Sequence, residues 1–201
     1  MKNTFLISLI LFAFSCTKQI RQPDNFESSV FAKVNKDAIN QVKNATNQTQ
    51  QKMYYLLLSQ EEKQYIWLER LRKIESAPEF TTIQKLFISK VISHLKPQLF
   101  EASIGIENEQ TIAVLRKESI MLFGKKTAGE IFATVPVDRK NSESVNQREV
   151  YPPGTGDCDC NKSDDWCQGV DQCVREGCKE RSSGCGWFLL QPCNGDCWPV
   201  P

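Results

Sequence analysis

The sequence is poor in several residues and motifs on which catalysis and nucleic-acid binding depend. Histidine occurs once, at His94, so a two-histidine metal site cannot be built. Basic and acidic residues nearly balance, 25 against 24, and leave no overall field that attracts nucleic acid. Gly-rich phosphate loops and Gly-x-Ser-x-Gly motifs are missing as well. We therefore expect a protein that is not an enzyme, with no catalytic residue, metal, cofactor or nucleic-acid partner.

Cysteine is also missing from most of the chain, since none occurs from residue 17 to residue 157. The nine cysteines of the chain are Cys16, near the N-terminus, and eight more between Cys158 and Cys197. This segregation indicates two different chemical roles and at least one domain boundary.

Residues 1–15 have the pattern of a secretory signal. Lys2 supplies a positive charge, and the apolar run from Phe5 to Phe14 is interrupted only by Ser8. Such a run is too short to span a bilayer as a permanent helix. The sequence therefore predicts a signal peptide and export of the protein.

The signal ends in Ala-Phe-Ser-Cys at residues 13–16, which resembles the lipobox of bacterial lipoproteins. The resemblance implies that Cys16 is lipidated after the signal is removed. It also implies that the protein lies outside the cytoplasm, held in the bacterial cell envelope by its lipid anchor. Ordinary signal cleavage beside an incidental cysteine is the alternative.

Residues 16–27 are polar and predict a tether, and residues 28–135 predict a helical domain. Pairs of Ser or Thr with Glu or Gln three residues later form capping boxes, which predict helix starts. These pairs are Ser59 with Glu62, Thr81 with Gln84, and Thr127 with Glu130. The expected core positions of the helices are Ile39, Val42, Ile66, Trp67, Leu71, Ile74, Ile83, Leu86, Phe87, Val91, Leu95, Ile112, Leu115, Ser119 and Leu122.

Residues 136–157 predict a linker, since they are polar and carry Pro-Pro-Gly at 152–154. Exposed polar segments of this kind are where proteases cut. The expected fold is therefore a mainly α-helical domain followed by a small disulfide-rich C-terminal domain.

Residues 158–201 form the cysteine module, which has too few aliphatic side chains to fold on a hydrophobic core alone. Export favours disulfides, each of which contributes about 2–4 kcal/mol, and the absence of Cys-x-x-Cys pairs argues against zinc. Eight cysteines allow roughly a hundred pairings, and the sequence does not choose among them. The expected disulfide cysteines are Cys158, Cys160, Cys167, Cys173, Cys178, Cys185, Cys193 and Cys197.

Three of the four tryptophans of the chain lie in the module. The module carries seven acidic and four basic residues, so it lacks the charge of a cationic membrane-disrupting peptide. A small cross-linked fold has little interior, so exposed rings that bind a partner are one interpretation. Packing of the rings on the disulfides is the other. The candidate binding surface consists of Trp166, Trp187, Phe188 and Trp198.

The cysteine order, with Asp-Trp before Cys167, Gly-Cys-Gly-Trp at 184–187 and Cys-Asn-Gly at 193–195, resembles the bacteriocin fulvocin C-related proteins. The resemblance covers residues 158–201 and differs in the closing loops. It implies four disulfides and an antibacterial peptide module that acts on an unknown target cell. Proteolysis in the polar linker would release this module. The alternative is a non-toxic cell-surface protein whose module binds a protein or glycan partner.

The lipid anchor gives a first prediction. We expect the native protein to partition into the detergent phase, because several acyl chains on one cysteine anchor stably. The Cys16→Ser variant should stay unprocessed or become soluble, as measured by phase separation and by the mass of the N-terminal peptide. Unchanged partitioning of the variant would contradict the assignment of Cys16.

Overall fold

A computed structural model describes residues 34–46, 48–101, 106–135, 156–163, 166–167, 171–174 and 177–199. The signal peptide, Cys16, the tether and residues 136–155 of the linker lie outside the described residues. The expected fold class is confirmed, since helices fill the N-terminal part and short strands with four disulfides fill the C-terminal part.

Six α-helices occur within the described residues of the helical domain. They are α1 (Lys36–Lys43), α2 (Gln48–Leu57), α3 (Gln60–Ser76), α4 (Thr82–His94), α5 (Ile106–Phe123) and α6 (Lys125–Phe132). A short 3-10 helix, Pro97–Phe100, follows α4. In the described part of the chain, no helix is long and apolar enough to cross a membrane.

Two of the three predicted capping boxes are confirmed. Ser59 Oγ accepts from the backbone N–H of Glu62 at 3.2 Å, and the Glu62 carboxylate accepts from the backbone N–H of Ser59 at 2.8 Å. Thr81 forms the same reciprocal pair at the start of α4. Local sequence is enough to specify these helix starts, because every partner lies within four consecutive residues.

The third predicted start, at Thr127, is wrong. Helix α6 begins two residues earlier, at Lys125, directly after Gly124. Gly124 has a φ of 77°, a left-handed conformation that glycine adopts without steric cost. This glycine ends α5 and starts α6 in one step, which leaves Thr127 inside the first turn.

Most of the predicted core positions are buried, among them Ile66, Trp67 and Leu71 on α3. The prediction is wrong for Ile83 and Leu86 on α4, each 66% exposed. Apolar residues extend around more of α4 than its neighbouring helices cover. The face that α4 buries carries Phe87, Ile88 and Val91.

In the described residues of the cysteine module, short strands form two antiparallel pairs. Its strands are β1 (Asp171–Val174), β2 (Arg181–Cys185), β3 (Gln191–Cys193) and β4 (Asp196–Pro199). Strand β1 pairs with β4, and β2 pairs with β3. A single 3-10 turn, Trp187–Leu189, connects β2 to β3; we call it the aromatic turn.

Four disulfides cross-link the strands and the segments between them. The bonds are Cys158–Cys178, Cys160–Cys173, Cys167–Cys197 and Cys185–Cys193. The expected role of all eight cysteines is thereby confirmed. Gly156 and Asp157, assigned above to the linker, belong to the module, because Gly156 accepts from the backbone N–H of Lys179 and Asp157 bridges to the same residue.

The aromatic turn packs against the helical domain. Its three side chains belong to one buried cluster with residues of the helices, including Trp67 and Phe132. The module and the helices therefore share a hydrophobic core.

The disulfide pairing can be checked by non-reducing digestion. Cleavage before every aspartate separates a peptide with Cys167, residues 165–170, from one with Cys197, residues 196–201, and from the long peptide 171–195. Because Cys167 is bonded to Cys197, we expect these two short peptides to form a two-chain species by mass spectrometry. A bond from Cys197 to the long peptide would contradict the pairing.

Candidate functional site

The aromatic turn lies at the tip of a hairpin that a disulfide crosses. The Cys185–Cys193 bond joins the end of β2 next to the turn to the far end of β3, where Cys193 pairs with Arg181. The turn residues Trp187, Phe188 and Leu189 are 0%, 2% and 3% exposed. The most apolar part of the module is therefore fully removed from solvent.

The backbone of the turn adopts an unusual conformation. Phe188 and Leu189 have φ values of 52° and 59°, in the left-handed region that bulky residues rarely occupy. Gly186 precedes them with φ 67° and ψ −159°, a combination that is essentially restricted to glycine. A Cβ at Gly186 would also lie 2.0 Å from Gln191 Oε1, so the Gln191 side chain would have to move to admit a larger residue.

Helices α2, α3 and α6 provide the pocket that receives the turn. The rings of Phe188 and Trp67 meet edge to face with their centroids 4.8 Å apart. The Trp187 ring lies 4.8 Å from that of Phe132, which is also 6.1 Å from the Phe188 ring. Edge-to-face and offset arrangements of this kind are the favourable geometries for aromatic pairs.

A chain of two hydrogen bonds fixes the turn in this pocket. Tyr55 Oη donates to the carbonyl oxygen of Phe188 at 3.1 Å and accepts from Trp67 Nε1 at 3.0 Å. Burial raises the pKa of Tyr55 well above its usual value, so the hydroxyl stays a donor over the physiological range. The bond holds a backbone carbonyl that would otherwise be buried without a partner.

Burial outweighs the strain of the turn. Left-handed backbone costs on the order of 1–3 kcal/mol at each such residue. Full burial of a large apolar side chain contributes about 2–3 kcal/mol. Three buried side chains therefore exceed the cost at two strained residues, and the pocket stabilises the conformation that fits it.

A buried lysine makes a second hydrogen bond between the helices and the module. Lys52 on α2 is 9% exposed, and its Nζ donates to the carbonyl oxygen of Asp159 at 3.0 Å. Burial lowers the pKa of Lys52 to about 8; the Asp159 carboxylate opposes the shift and Arg181 adds to it. The charged amine is therefore kept at the boundary at an energetic cost.

A second apolar contact lies on α6. The ring of Trp166 covers Gly129 so closely that a Cβ there would be 2.9 Å from Trp166 Cε3. Gly129 itself is buried. A small residue on α6 thus lets the module approach the helix backbone.

Two of the four residues of the predicted binding surface are not exposed in the intact chain. Trp187 and Phe188 are buried because the helices supply an apolar pocket that the module lacks. Trp166 is half-buried and packs against the same cluster, whereas Trp198 is half-buried on β4. His94 is exposed in the last turn of α4, the surface position expected for it.

Among the described residues, three groups place potential metal ligands within reach of one another. Each group contains at least two cysteines, and all of these are bonded in disulfides, so their sulfurs are not thiolates. The groups are Cys160 with Cys167 and Cys173, Cys158 with Cys178 and Asp196, and Asp159 with Cys160 and Cys197.

Lys52 and Tyr55 were not predicted from the sequence. Lys52 follows a run of polar residues, where lysine usually faces solvent, and Tyr55 lies in an apolar run that indicates burial but not its partner. The usable signal lay in the module instead, where four apolar residues, 187–190, lie between Cys185 and Cys193. An apolar tip on a hairpin closed by a disulfide has to be covered by something outside the hairpin.

The burial of Lys52 gives a pH prediction. The unfolded chain keeps the Lys52 proton up to its ordinary pKa of 10.5, whereas the folded chain releases it near 8. Between these values the unfolded state binds more protons, so the free energy of unfolding rises with pH. We expect a rise of about 2 kcal/mol from about pH 7.5 to 9.5, measured by urea unfolding.

The Lys52→Met variant should lose this rise, while Lys36→Met, at an exposed lysine of α1, should keep it. The range stops below about pH 10, where ionisation of Tyr55 in the unfolded state acts in the opposite direction. An equal rise in both variants would show that Lys52 is not its source.

Comparison with protein-family models, curated proteins and solved structures finds no match to this chain. The resemblance of the module to fulvocin C-related proteins therefore stays a prediction.

Proposed function

We propose that this protein is an exported, lipid-anchored component of the bacterial envelope that carries an antibacterial module of the bacteriocin type. The helical domain covers the apolar tip of the module while the chain is intact. Cleavage in residues 136–155 lets the module leave the cell surface. The module, not the helical domain, acts on the target cell.

One observation carries this proposal: the helices bury the whole aromatic turn of a hairpin that holds its own shape by a disulfide. A released module would present tryptophan, phenylalanine and leucine side by side at its tip. Exposed apolar clusters of this kind mark surfaces that bind proteins or membranes. The four disulfides support persistence of the released module outside the cell.

The acidic character of the module bears on its target. Residues 158–201 hold seven acidic and four basic side chains, which do not favour adsorption on an anionic lipid surface. A receptor or envelope protein with an apolar cleft is therefore the better partner for the aromatic turn. The pocket of the helical domain, which combines aromatic rings with one hydroxyl donor, illustrates the chemistry such a cleft needs.

A second candidate is a non-toxic surface protein whose module binds a protein or glycan. The shared core favours this candidate, because an aromatic turn that is buried among the helices stabilises the fold and is not free to bind a target. In that case the half-buried Trp198 and the other partly exposed residues of the module would form the binding surface.

Growth inhibition tests the proposal. The full chain, with a protease site inserted within residues 136–155, is applied to related bacteria before and after cutting, at dilutions low enough for the fragments to part. We expect inhibition only after cutting, and its loss on reduction, because the reduced module lacks a core to replace its cross-links.

Two variants locate the activity in the turn. Phe188→Ala should abolish inhibition, whereas Ser182→Ala, at an exposed position of β2, should retain it. A cut chain that binds cells without inhibiting any strain would favour the surface-protein candidate. A cut chain that neither binds nor inhibits would contradict both.

A further inference from the structure

We infer that the pocket of the helical domain is a binding site for the module in trans, so that it holds a cut module and accepts the module of a second copy of this chain. The partner is the hairpin of β2 and β3 with its aromatic turn, presented by another molecule. The inference concerns binding alone and does not rest on antibacterial activity.

The contact between helices and module is non-covalent apart from the chain itself. All four disulfides join cysteines within 158–197, and the remaining cysteine is Cys16. The aromatic turn, the bond from Tyr55 and the bond from Lys52 are contacts that form again when separate surfaces meet. Cutting residues 136–155 removes none of them.

The strands of the hairpin are held together before the turn docks, although the turn itself reaches its strained conformation only in the pocket. The Cys185–Cys193 bond crosses the two strands, and Gly186 allows the sharp entry into the turn. A ligand held partly in its bound conformation loses less entropy on association. The receptor side is equally defined, since Tyr55 and Trp67 are hydrogen-bonded to each other within the helical domain.

The contact also contains features that allow exchange. Within the described residues, Trp187 Nε1 is buried without a hydrogen-bond partner. Lys52 carries its charge in a buried position. Both features favour the undocked state, in which water solvates the two groups, and so limit how long a docked module stays bound.

The connecting chain does not restrict the module to its own helices. Residues 136–155 join Val135 to Gly156, and a chain of this length reaches at most about 70 Å. Neighbouring molecules anchored in one membrane lie within such a distance at high surface density. A module that docks on the helices of a neighbouring molecule buries the same groups as one that docks on its own helices. Exchange of identical elements between copies is a low-cost route to association.

Co-elution tests the first part. The full chain with a protease site within residues 136–155 is purified, cut under non-reducing conditions and passed over a size-exclusion column. We expect the two fragments to elute together, each intact by mass. Separate elution of the fragments, with all four disulfides still present, would overturn the inference.

Exchange tests the second part. Two cut preparations are mixed in equal amounts, one isotopically heavy and one light with an affinity tag on its helical fragment. After incubation we expect heavy module on the light, tagged helices, approaching half of the bound module. Fragments that co-elute without any exchange would restrict the contact to one molecule and overturn the binding in trans.

Variants separate this contact from general stability. Phe188→Ala should lower the amount of bound module about tenfold or more, because it removes the ring that fills the pocket. Tyr55→Phe should weaken binding less, since it removes one hydrogen bond. Leu57→Ala, which truncates an exposed apolar residue of α2, should bind like the parent chain. Equal loss in Leu57→Ala and Phe188→Ala would contradict the assignment of the pocket, and the exchange of unmodified modules tests it without any variant.

Discussion

Phe188 meets Trp67 and Phe132 in the interior of the helices, and most other features of the molecule depend on that contact. The nine-residue loop that the Cys185–Cys193 bond closes has no interior of its own in which to bury three large side chains. The helices supply that interior, and the left-handed backbone of the turn persists because the pocket and the disulfide fix it from both sides. The disulfides therefore fix the shape of the module, and packing against the helices covers its apolar tip.

Features that depend on neighbouring residues were readable from the sequence. The capping boxes at Ser59 and Thr81 and the all-cysteine cross-linking of the module need only local spacing and composition. Features that depend on which helices and strands contact each other could not be predicted from the sequence. Ile83 and Leu86 look like core positions because periodicity cannot say which side of an apolar helix finds a neighbour. Trp187 and Phe188 look like a binding surface because nothing in the module's own sequence reveals a pocket on distant helices. Lys52 is a similar case, since a lysine in a polar helix gives no sign of burial.

The polar contacts between the helices and the module fix the orientation of the module as well as adding to its affinity. The Tyr55 hydroxyl and the Lys52 amine both donate to backbone carbonyls of the module, one in the turn and one beside the disulfide-rich end. A backbone carbonyl accepts a hydrogen bond whatever the side chain of its residue. The backbone shape of the module therefore sets its orientation on the helices. Apolar burial supplies most of the stabilisation, while these two bonds fix the orientation. A partner that competes for the turn has to offer both an aromatic cleft and a donor at the corresponding place.

The Tyr55–Phe188 bond joins residues 133 positions apart. Contacts of such long range form late, since a large loop has to close before they contribute, whereas capped helices and short disulfide loops assemble locally. We therefore expect the helices and the cross-linked hairpin to form before the aromatic turn docks. Until it docks, the turn exposes three large apolar side chains to solvent, and such surfaces promote aggregation. A chaperone that acts on the newly made chain would bind at this turn, and the yield of folded protein would depend on how quickly the turn docks in its pocket.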